Sequence, residues 1–589
     1  MQDIIEIFSE GERVANVHGN TALINFYESK IQEKVRPLNF LIKFNLSTAY
    51  QKLNNTDKTA SLLQEIIDEK PGFINAHFNL GVLNDQLGKV EAAIACWDKV
   101  EEKGNPQQAD QRTLIIQSLN QRARLEENRK NYSKSIQYLK RSLLLDAEQP
   151  AAIQHLVRSR QMIFEWPAFQ PFGKLSEYSM MVATSPISML AINDDPRMQL
   201  LSSLAFCART YTEKVDRLPQ RKVHPKRKTR IGYVSGDFCT HAVGLLLPDF
   251  LANHNRESFE VYGYDFGYRD GSSLREKILG SFDVVRDILN VSDSEAAKLI
   301  HNDEIDILID MHGLSAKARP YIFAHRPAPL QVCWLGYIGT TSFPWIDCLV
   351  LDEFTFLNEN TVYTSEKVIK LSQSFLPGRT ASSKAVQLEG NSVDDSQVPK
   401  CHSRLYGCLN NSYKINPDVV RLWSEILMAD KESRLLLCRD SEQVSQKIVS
   451  CFKGFGVKKD RVHFIDRGTY QQYLTQLALI DVYLDTFPYG AGSVARDVVE
   501  SSVPMVTLAG CTPVSRMCGG ILKEYGLLEL VADDKAQYKQ KAIGAMNDRK
   551  RLKKLMQEHN LYNKENIEKA RCQEFEQKLL AALTHKLTT

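Results

Sequence analysis

Four short polar clusters in this 589-residue chain have residue types and spacing suited to group transfer at a phosphate. Asp237 and His241 follow the apolar run at 230–234, and Asp310, His312 and Gly313 follow IDILI. Asn410, Asn411 and Lys414 follow the run at 405–409. Gly492, Ser493 and Asp497 follow the run at 482–484, in DVYLDTFPYGAGSVARDVVE. A histidine near neutral pKa can take a proton or hydrogen-bond a sugar, and a lysine can neutralise a departing diphosphate. A glycine-bearing turn that opens a helix offers its N–H groups to a phosphate, and Asp497, about one turn in, is placed for a ribose hydroxyl. An ordinary strand-to-helix connection has the same local pattern, so the stretch 481–520 is either. There is no G-x-G-x-x-G and no G-x-x-x-x-G-K-[ST], which removes the usual support for nicotinamide cofactors and P-loop hydrolysis. No His/Cys/carboxylate group has zinc spacing.

The elements that must carry these clusters alternate strand with helix. In the first series, strands are expected at 230–234, in FEVYGYDFG, at 284–289, in IDILIDMHG, in LQVCWLGY and in CLVLDEF, with a helix at about 243–253. A second series follows the polar stretch 382–396, the expected surface loop or inter-lobe linker. It runs from 405–409 through NPDVVRLWSEILMA, SRLLLCR, EQVSQKIVSCFKGFG, RVHFID and TYQQYLTQLALI to a helix at 494–501 and a strand at 504–509. The expected fold is α followed by α/β, with two Rossmann-like lobes at 226–385 and 386–560 and a closing helix at 561–589. The cleft between facing carboxyl ends is where ligands settle in such sheets.

The first 160 residues repeat. Asn45 and Asn79, Leu46 and Leu80, and Leu53 and Leu87 are each 34 apart, and Asn120 follows Asn79 by 41, so seven residues are inserted near 105–112. A helix-turn-helix unit closing at Pro71, Pro106 or Pro150 with period 34 is similar to the tetratricopeptide repeat, three of which form a short superhelix. Its concave face would hold an extended peptide or serve as a docking surface. A helical connector is expected at 161–225, with Asp194 or Asp195 capping a helix that starts at Pro196.

A net charge of +3 over this length argues against a nucleic-acid binder, and the basic run 221–230 is expected to be a solvated linker. No signal peptide and no apolar span are expected, and twelve scattered cysteines without a C-x-x-C pair suggest reduced thiols in a cytoplasm.

RIGYVSGDFCTHAVG, the block IDILIDMHGLSAKARPYIFAHRPAPLQVCWLGYIGTTSFPWIDCLVLDEF, LNNSYKINPDVVRLWSEIL and DVYLDTFPYGAG with SSVPMVTLAG together resemble the SPINDLY/O-GlcNAc transferase family. These are tetratricopeptide-bearing GT-B enzymes that move a sugar from a nucleotide diphosphate to protein Ser or Thr. The resemblance implies an inverting, metal-independent transferase without a cofactor. It places His241 as a base lining the sugar–acceptor site, Lys414 on the donor diphosphate, Asn411 beside it, and Gly492 and Ser493 in the phosphate turn. Asp497 falls on the ribose and Tyr473 near the nucleotide base, with Asp237, His312 and Gly313 on the acceptor side. UDP-GlcNAc is the first expected donor, with another hexose or a GDP-sugar open. The turn reads Gly492-Ser493-Val494 where the family usually has H-T-T or G-T-T, and Tyr473 replaces a frequent histidine. The expected partners are an acceptor protein in the repeat groove and a partner subunit or second copy. A weakened GT-B scaffold and an Asn-hexosyltransferase are the alternatives.

Overall fold

The computed structural model describes residues 2–32, 39–221, 223, 226–379 and 404–588, so the expected linker at 382–396 lies outside the described residues. The chain divides into two compact units, residues 1–160 with 170–180 and residues 161–169 with 181–589.

The first unit is a succession of packed helices: α1 (Gln2–Gln32), α2 (Asn39–Lys52), α3 (Thr56–Glu69), α4 (Ile74–Gln86), α5 (Val90–Lys103), α6 (Ala109–Asn128), α7 (Tyr132–Leu145) and the start of α8 (Pro150–Met162). α1 is broken at Gly19, whose φ of 79° interrupts the helical path. Gly81 lets α4 meet α5, because a Cβ there would run into the indole of Trp97. Trp97 is fully buried and donates its Nε1–H to the Phe78 carbonyl at 3.2 Å. The inserted residues make no long loop. α6 has 20 residues where α4 has 13, so the insertion lengthens the helix at its N-terminal end.

The second unit holds two parallel sheets. The first contains β1 (Thr229–Ser235), β2 (Phe259–Asp265), β3 (Val284–Asp287), β4 (Ile307–Asp310), β5 (Leu330–Cys333), β6 (Cys348–Asp352) and β7 (Lys367–Leu371), in the order β3-β2-β1-β4-β5-β6-β7. The second contains β8 (Leu405–Cys408), β9 (Arg434–Arg439), β10 (Val462–Asp466), β11 (Val482–Leu484), β12 (Met505–Leu508) and β13 (Val531–Ala532), in the order β10-β9-β8-β11-β12-β13. Both orders reverse beside the first strand of their sheet, between β1 and β4 and between β8 and β11, and a ligand crevice opens at such a switch point. Central strands such as β4 and β8 are buried along their whole length, which is why they are apolar on both faces. In the connector, Asp195 caps Pro196–Thr210. Asp194 instead accepts the amides of Cys511 and Thr512, holding the segment that leads into the helix Pro513–Glu524 of the second lobe, whose cap is Thr512.

Three expectations need correction. The helix at 243–253 is a short 3-10 turn, Gly244–Leu246, followed by a short helix, Pro248–Ala252, because Pro248 lacks the N–H to continue the turn. The strands β7 and β13 were not anticipated. KVIKL is an edge strand carrying two lysines, Lys367 and Lys370, and β13 has only two residues. Arginines of the basic run are not solvated as expected. Arg227 bonds both oxygens of Asp306, which is wholly buried, at 2.7 and 3.0 Å, and Arg221 donates to the Ile305 carbonyl at 2.6 Å. A buried carboxylate demands such partners.

The final helix, Lys564–Thr588, lies on the first lobe. Phe575 is fully buried, 5.2 Å from the Phe250 ring and 4.8 Å from the Trp334 ring. Beside it His254 donates Nδ1–H to Glu576 at 2.7 Å and accepts from the Tyr233 hydroxyl at 2.8 Å. Both ring nitrogens of His254 are thus occupied within the protein, and Cys572 lies buried beside His254 and Glu576. Phe575→Ala is expected to cost about 3–5 kcal/mol, read from denaturant unfolding of the second unit by tryptophan fluorescence. A loss below about 1 kcal/mol would show that this helix does not anchor the lobe.

Candidate active site

The turn after β11 is built around Asp485, which is wholly buried. Its Oδ1 accepts the amides of Thr486 at 2.9 Å and Ala491 at 2.7 Å, and its Oδ2 accepts the Thr507 hydroxyl at 2.7 Å. These bonds fold residues 486–491 back over the strand end. Gly492 then takes φ 64°, ψ −126° and starts the helix Ser493–Glu500. That backbone belongs to glycine, since side chains rarely adopt positive φ. The N-terminus of this helix opens where β11 stops.

Lys414, which follows β8, is buried beneath this turn. Its Nζ donates to the Gly490 carbonyl at 2.8 Å and lies 3.9 Å from the centre of the Tyr489 ring. Asn416 caps the helix Pro417–Ala429 and donates from its side-chain amide to the Phe487 carbonyl at 2.7 Å, tying the same turn from a second point. Asn410 holds Thr486 at 2.8 Å. Asn411 points elsewhere. It is exposed, and its side-chain oxygen accepts from Arg467, which also pairs with Asp440 at 2.6 Å.

Asp497 lies one turn into the helix and is buried against three groups. Arg379 Nε is 2.5 Å from Oδ1, the Tyr470 hydroxyl donates to Oδ1 at 2.8 Å, and the Tyr473 hydroxyl donates to Oδ2 at 3.1 Å. Burial raises its carboxyl to about 6, and the charge of Glu500 adds to this against the pull of Arg379 and the phenols.

In the first lobe Asp237 and His241 follow β1. His241 Nδ1 lies 3.2 Å from Asp237 Oδ2, while about half of its side-chain surface, 48%, is open to solvent. His312, following β4, is buried. Its Nε2 accepts the Gly236 amide at 2.9 Å and its Nδ1 meets the Ser315 hydroxyl at 3.0 Å, so it is a strut holding the β1 turn in place. Asp310 accepts the amides of His312 and Gly313 at 2.8 and 3.1 Å, and burial raises its carboxyl above the usual range. Gly313 has φ 53° and packs on Tyr337. Burial raises the Tyr337 phenol well above its usual range, and Tyr489 of the turn after β11 adds to the effect.

The model of glycosyl transferase family 41 matches residues 210–397 and 392–579. The chain belongs to this family. It is 28% identical over 414 residues to the probable UDP-N-acetylglucosamine–peptide N-acetylglucosaminyltransferase SEC of Arabidopsis thaliana, covering 69% of this chain and 42% of that protein. It is 30% identical over 331 residues to the protein of the corresponding name, SPINDLY, of Petunia hybrida, covering 55% of this chain and 35% of that one. The chain thus spans well under half the length of these curated relatives. A solved mutant of the Thermobaculum terrenum O-GlcNAc transferase shares the fold, with a TM-score of 0.64 at 24% identity over 99% of this chain and 98% of that one. The family 41 chain therefore pairs tetratricopeptide-like repeats with a GT-B fold.

Within this family 41 fold, the structure gathers Asp237, His241, His312 and Gly313 at the first switch point and Lys414, Gly492, Ser493, Asp497 and Tyr473 at the second. Sequence reasoning missed Arg379, Tyr470 and Asp485. Asp485 was quoted within the motif but given no role. Tyr470 is three residues before Tyr473 on a helix capped by Thr469, a spacing that puts both on one face. Arg379 has no local signal, because only the fold brings it to Asp497.

The raised Asp497 carboxyl has a signed consequence. Its folded-state value lies above the 3.8 of a free aspartate, so the folded chain takes up this proton first as pH falls, and the burial penalty is relieved between pH 6 and 4. Relative to Asp497→Asn, wild type is expected to gain about 2 kcal/mol between pH 7 and 4.5. Urea melts at a series of pH values measure this, and a flat difference across that window would contradict it.

Proposed function

We propose that the chain moves a sugar from a nucleoside diphosphate to a Ser or Thr of a protein, with inversion at the anomeric carbon and without a metal ion. The observation that carries this is the donor turn of a family 41 chain. Lys414 lies beneath Gly490, and the helix Ser493–Glu500 opens at the same place. In the step, the acceptor oxygen bonds to the anomeric carbon as its bond to the diphosphate oxygen breaks, and that electron pair leaves on the diphosphate. The acceptor proton passes to His241. Nδ1 already meets Asp237 Oδ2 at 3.2 Å and the Val243 amide at 3.3 Å, so Nε2 is the ring nitrogen proposed to meet the acceptor. Lys414 and the positive end of the helix offset the charge that develops on the leaving diphosphate.

UDP-N-acetylglucosamine is the donor to test first, because the names of both SEC and SPINDLY carry it. The repeats are the proposed site for an acceptor protein or a partner subunit. They contain a cavity of about 580 Å³ lined by Phe78, Val82, Asn120, Arg124, Glu127 and His155. No helix among the described residues is long and apolar enough to cross a membrane, which is compatible with the proposed cytoplasmic setting.

One observation favours a second reading, a GT-B scaffold with weakened activity. Both oxygens of Asp497 are engaged inside the protein, and the turn reads Gly492-Ser493-Val494. Calorimetry against UDP- and GDP-sugars separates the two, since a scaffold binds none.

For the transferase, Lys414→Ala is expected to lower kcat by about 10²–10³ and His241→Ala by about 10²–10⁴. Diphosphate release and the intact mass of a co-expressed acceptor measure both, and site mapping separates Ser/Thr from Asn. Undiminished turnover in both variants would end the assignment of this site.

A further inference from the structure

We propose that a second site, distinct from the donor turn, binds a small phosphate monoester at the far edge of the first sheet. Residues 326–329 immediately precede β5, and Asp306 immediately precedes β4. In a parallel sheet the residues that precede the strands gather at one edge, and those that follow them gather at the other. Asp237, His241 and His312 follow their strands, so this site lies across the sheet from them. It is a cavity of about 310 Å³ whose wall includes Arg217, Arg221, Arg326 and Lys586. Four cations line it and no carboxylate does.

The acids that balance these cations stand behind the wall and are shared. Asp347 accepts from Arg326 at 2.8 Å and also pairs with Lys586. Asp306 takes two bonds from Arg227 and lies 3.5 Å from Arg221. Arg217 is exposed and makes no ion pair among the described residues. Donors are left over as well. Arg326 uses two of its five N–H groups, on Asp347 and on the Pro344 carbonyl at 3.2 Å. Arg221 donates from Nη2 to Ile305, while its Nε and Nη1 are buried without a hydrogen-bond partner. Buried N–H groups are nearly always paired, so this guanidinium lacks an acceptor that the fold does not supply. Arg326 also holds φ 55°, a backbone conformation that suits glycine and strains an arginine. Strain of this kind is characteristic of ligand clamps.

The wall identifies the ligand. A phosphate offers three oxygens and two charges to several separate donors, where a carboxylate offers two oxygens and one charge. Guanidinium forks match phosphate geometry in particular. Leu218, Ala328 and three prolines make most of the remaining wall apolar, and the cavity is far larger than one phosphate group. Room is therefore left for an organic body, which favours a monoester over the free ion. The cavity joins three parts of the chain: the stretch 217–221 that leads toward β1, the turn before β5, and the closing helix Lys564–Thr588. A phosphate bound there bridges them and holds the end of that helix to the first lobe.

The test uses the full chain, with isothermal titration of phenyl phosphate, inorganic phosphate and acetate, and hydrogen exchange with and without phenyl phosphate. Phenyl phosphate is expected to bind more tightly than inorganic phosphate, with acetate the weakest. Exchange is expected to slow at 217–221 and over the last turns of the closing helix, whether or not the donor turn is also protected. Arg217→Gln combined with Lys586→Gln alters two side chains that are not buried, and is expected to weaken phenyl phosphate at least about tenfold. Arg217→Lys combined with Lys586→Arg keeps both charges and is expected to restore most of the affinity. Protection confined to the donor turn would overturn the inference. So would binding that Lys414→Ala abolishes and the double glutamine variant leaves intact, or a wild-type chain that binds no phenyl phosphate at millimolar concentration.

Discussion

Asp485 has no access to water, and a buried carboxylate must have its oxygens filled from within the protein. Its partners are the amides of Thr486 and Ala491 and the hydroxyl of Thr507. Two of these flank the loop and the third is on the next strand, so satisfying the carboxylate dictates the course of the turn. Once Ala491 is pinned, the chain reaches the helix start through Gly492 at positive φ. Lys414 and Asn416 then bond the Gly490 and Phe487 carbonyls, which are turned toward β8. That is possible only because β8 lies beside β11, the strand order the whole lobe exists to produce.

The same helix is fixed from behind by charge. Arg496, adjacent to Asp497, bonds Glu524 at 2.6 Å, and Glu524 also pairs with Arg571 at 2.5 Å. Arg571 in turn pairs with Glu568 on its own helix. Burial pushes the Glu524 carboxyl up, yet Arg496 and Arg571 together pull it down to about 2. Removing one member of such a buried set leaves an uncompensated charge and costs about 3–5 kcal/mol. Arg571 belongs to the helix whose Phe575 packs between Phe250 and Trp334 of the first lobe. One helix thus fastens the donor turn's support to the lobe that carries His241.

What the sequence made legible follows the range of the interactions involved. Strand-to-helix alternation, the glycine turn and the repeat period are local patterns, and the placing of His241, Lys414 and Gly492 at strand ends came directly from them. The extra turns of α6 were seen as an insertion but not as helix, because spacing counts residues and says nothing of their conformation. The arginines at 221–230 were misread for a related cause. Their partner, Asp306, lies far along the chain and is buried only once β4 is in its sheet. Arg379 was invisible for the same reason, and so was the engagement of Asp497.

The groups around Asp497 form one consistent set. An arginine against Asp497 alone would neutralise the carboxylate and withdraw it from any ligand. Tyrosines at 470 and 473 alone would bury two hydroxyls that need an acceptor. Together each supplies what the other requires, since the carboxylate accepts hydrogen bonds from both phenols, the guanidinium balances its charge, and the ring of Tyr470 covers the guanidinium. The charge balance also separates the two ends of the proposed donor site. Arg379 is offset by Asp497, so the positive character that faces a diphosphate comes from Lys414 and the helix end. The other end, around Asp497, is left nearly neutral and aromatic.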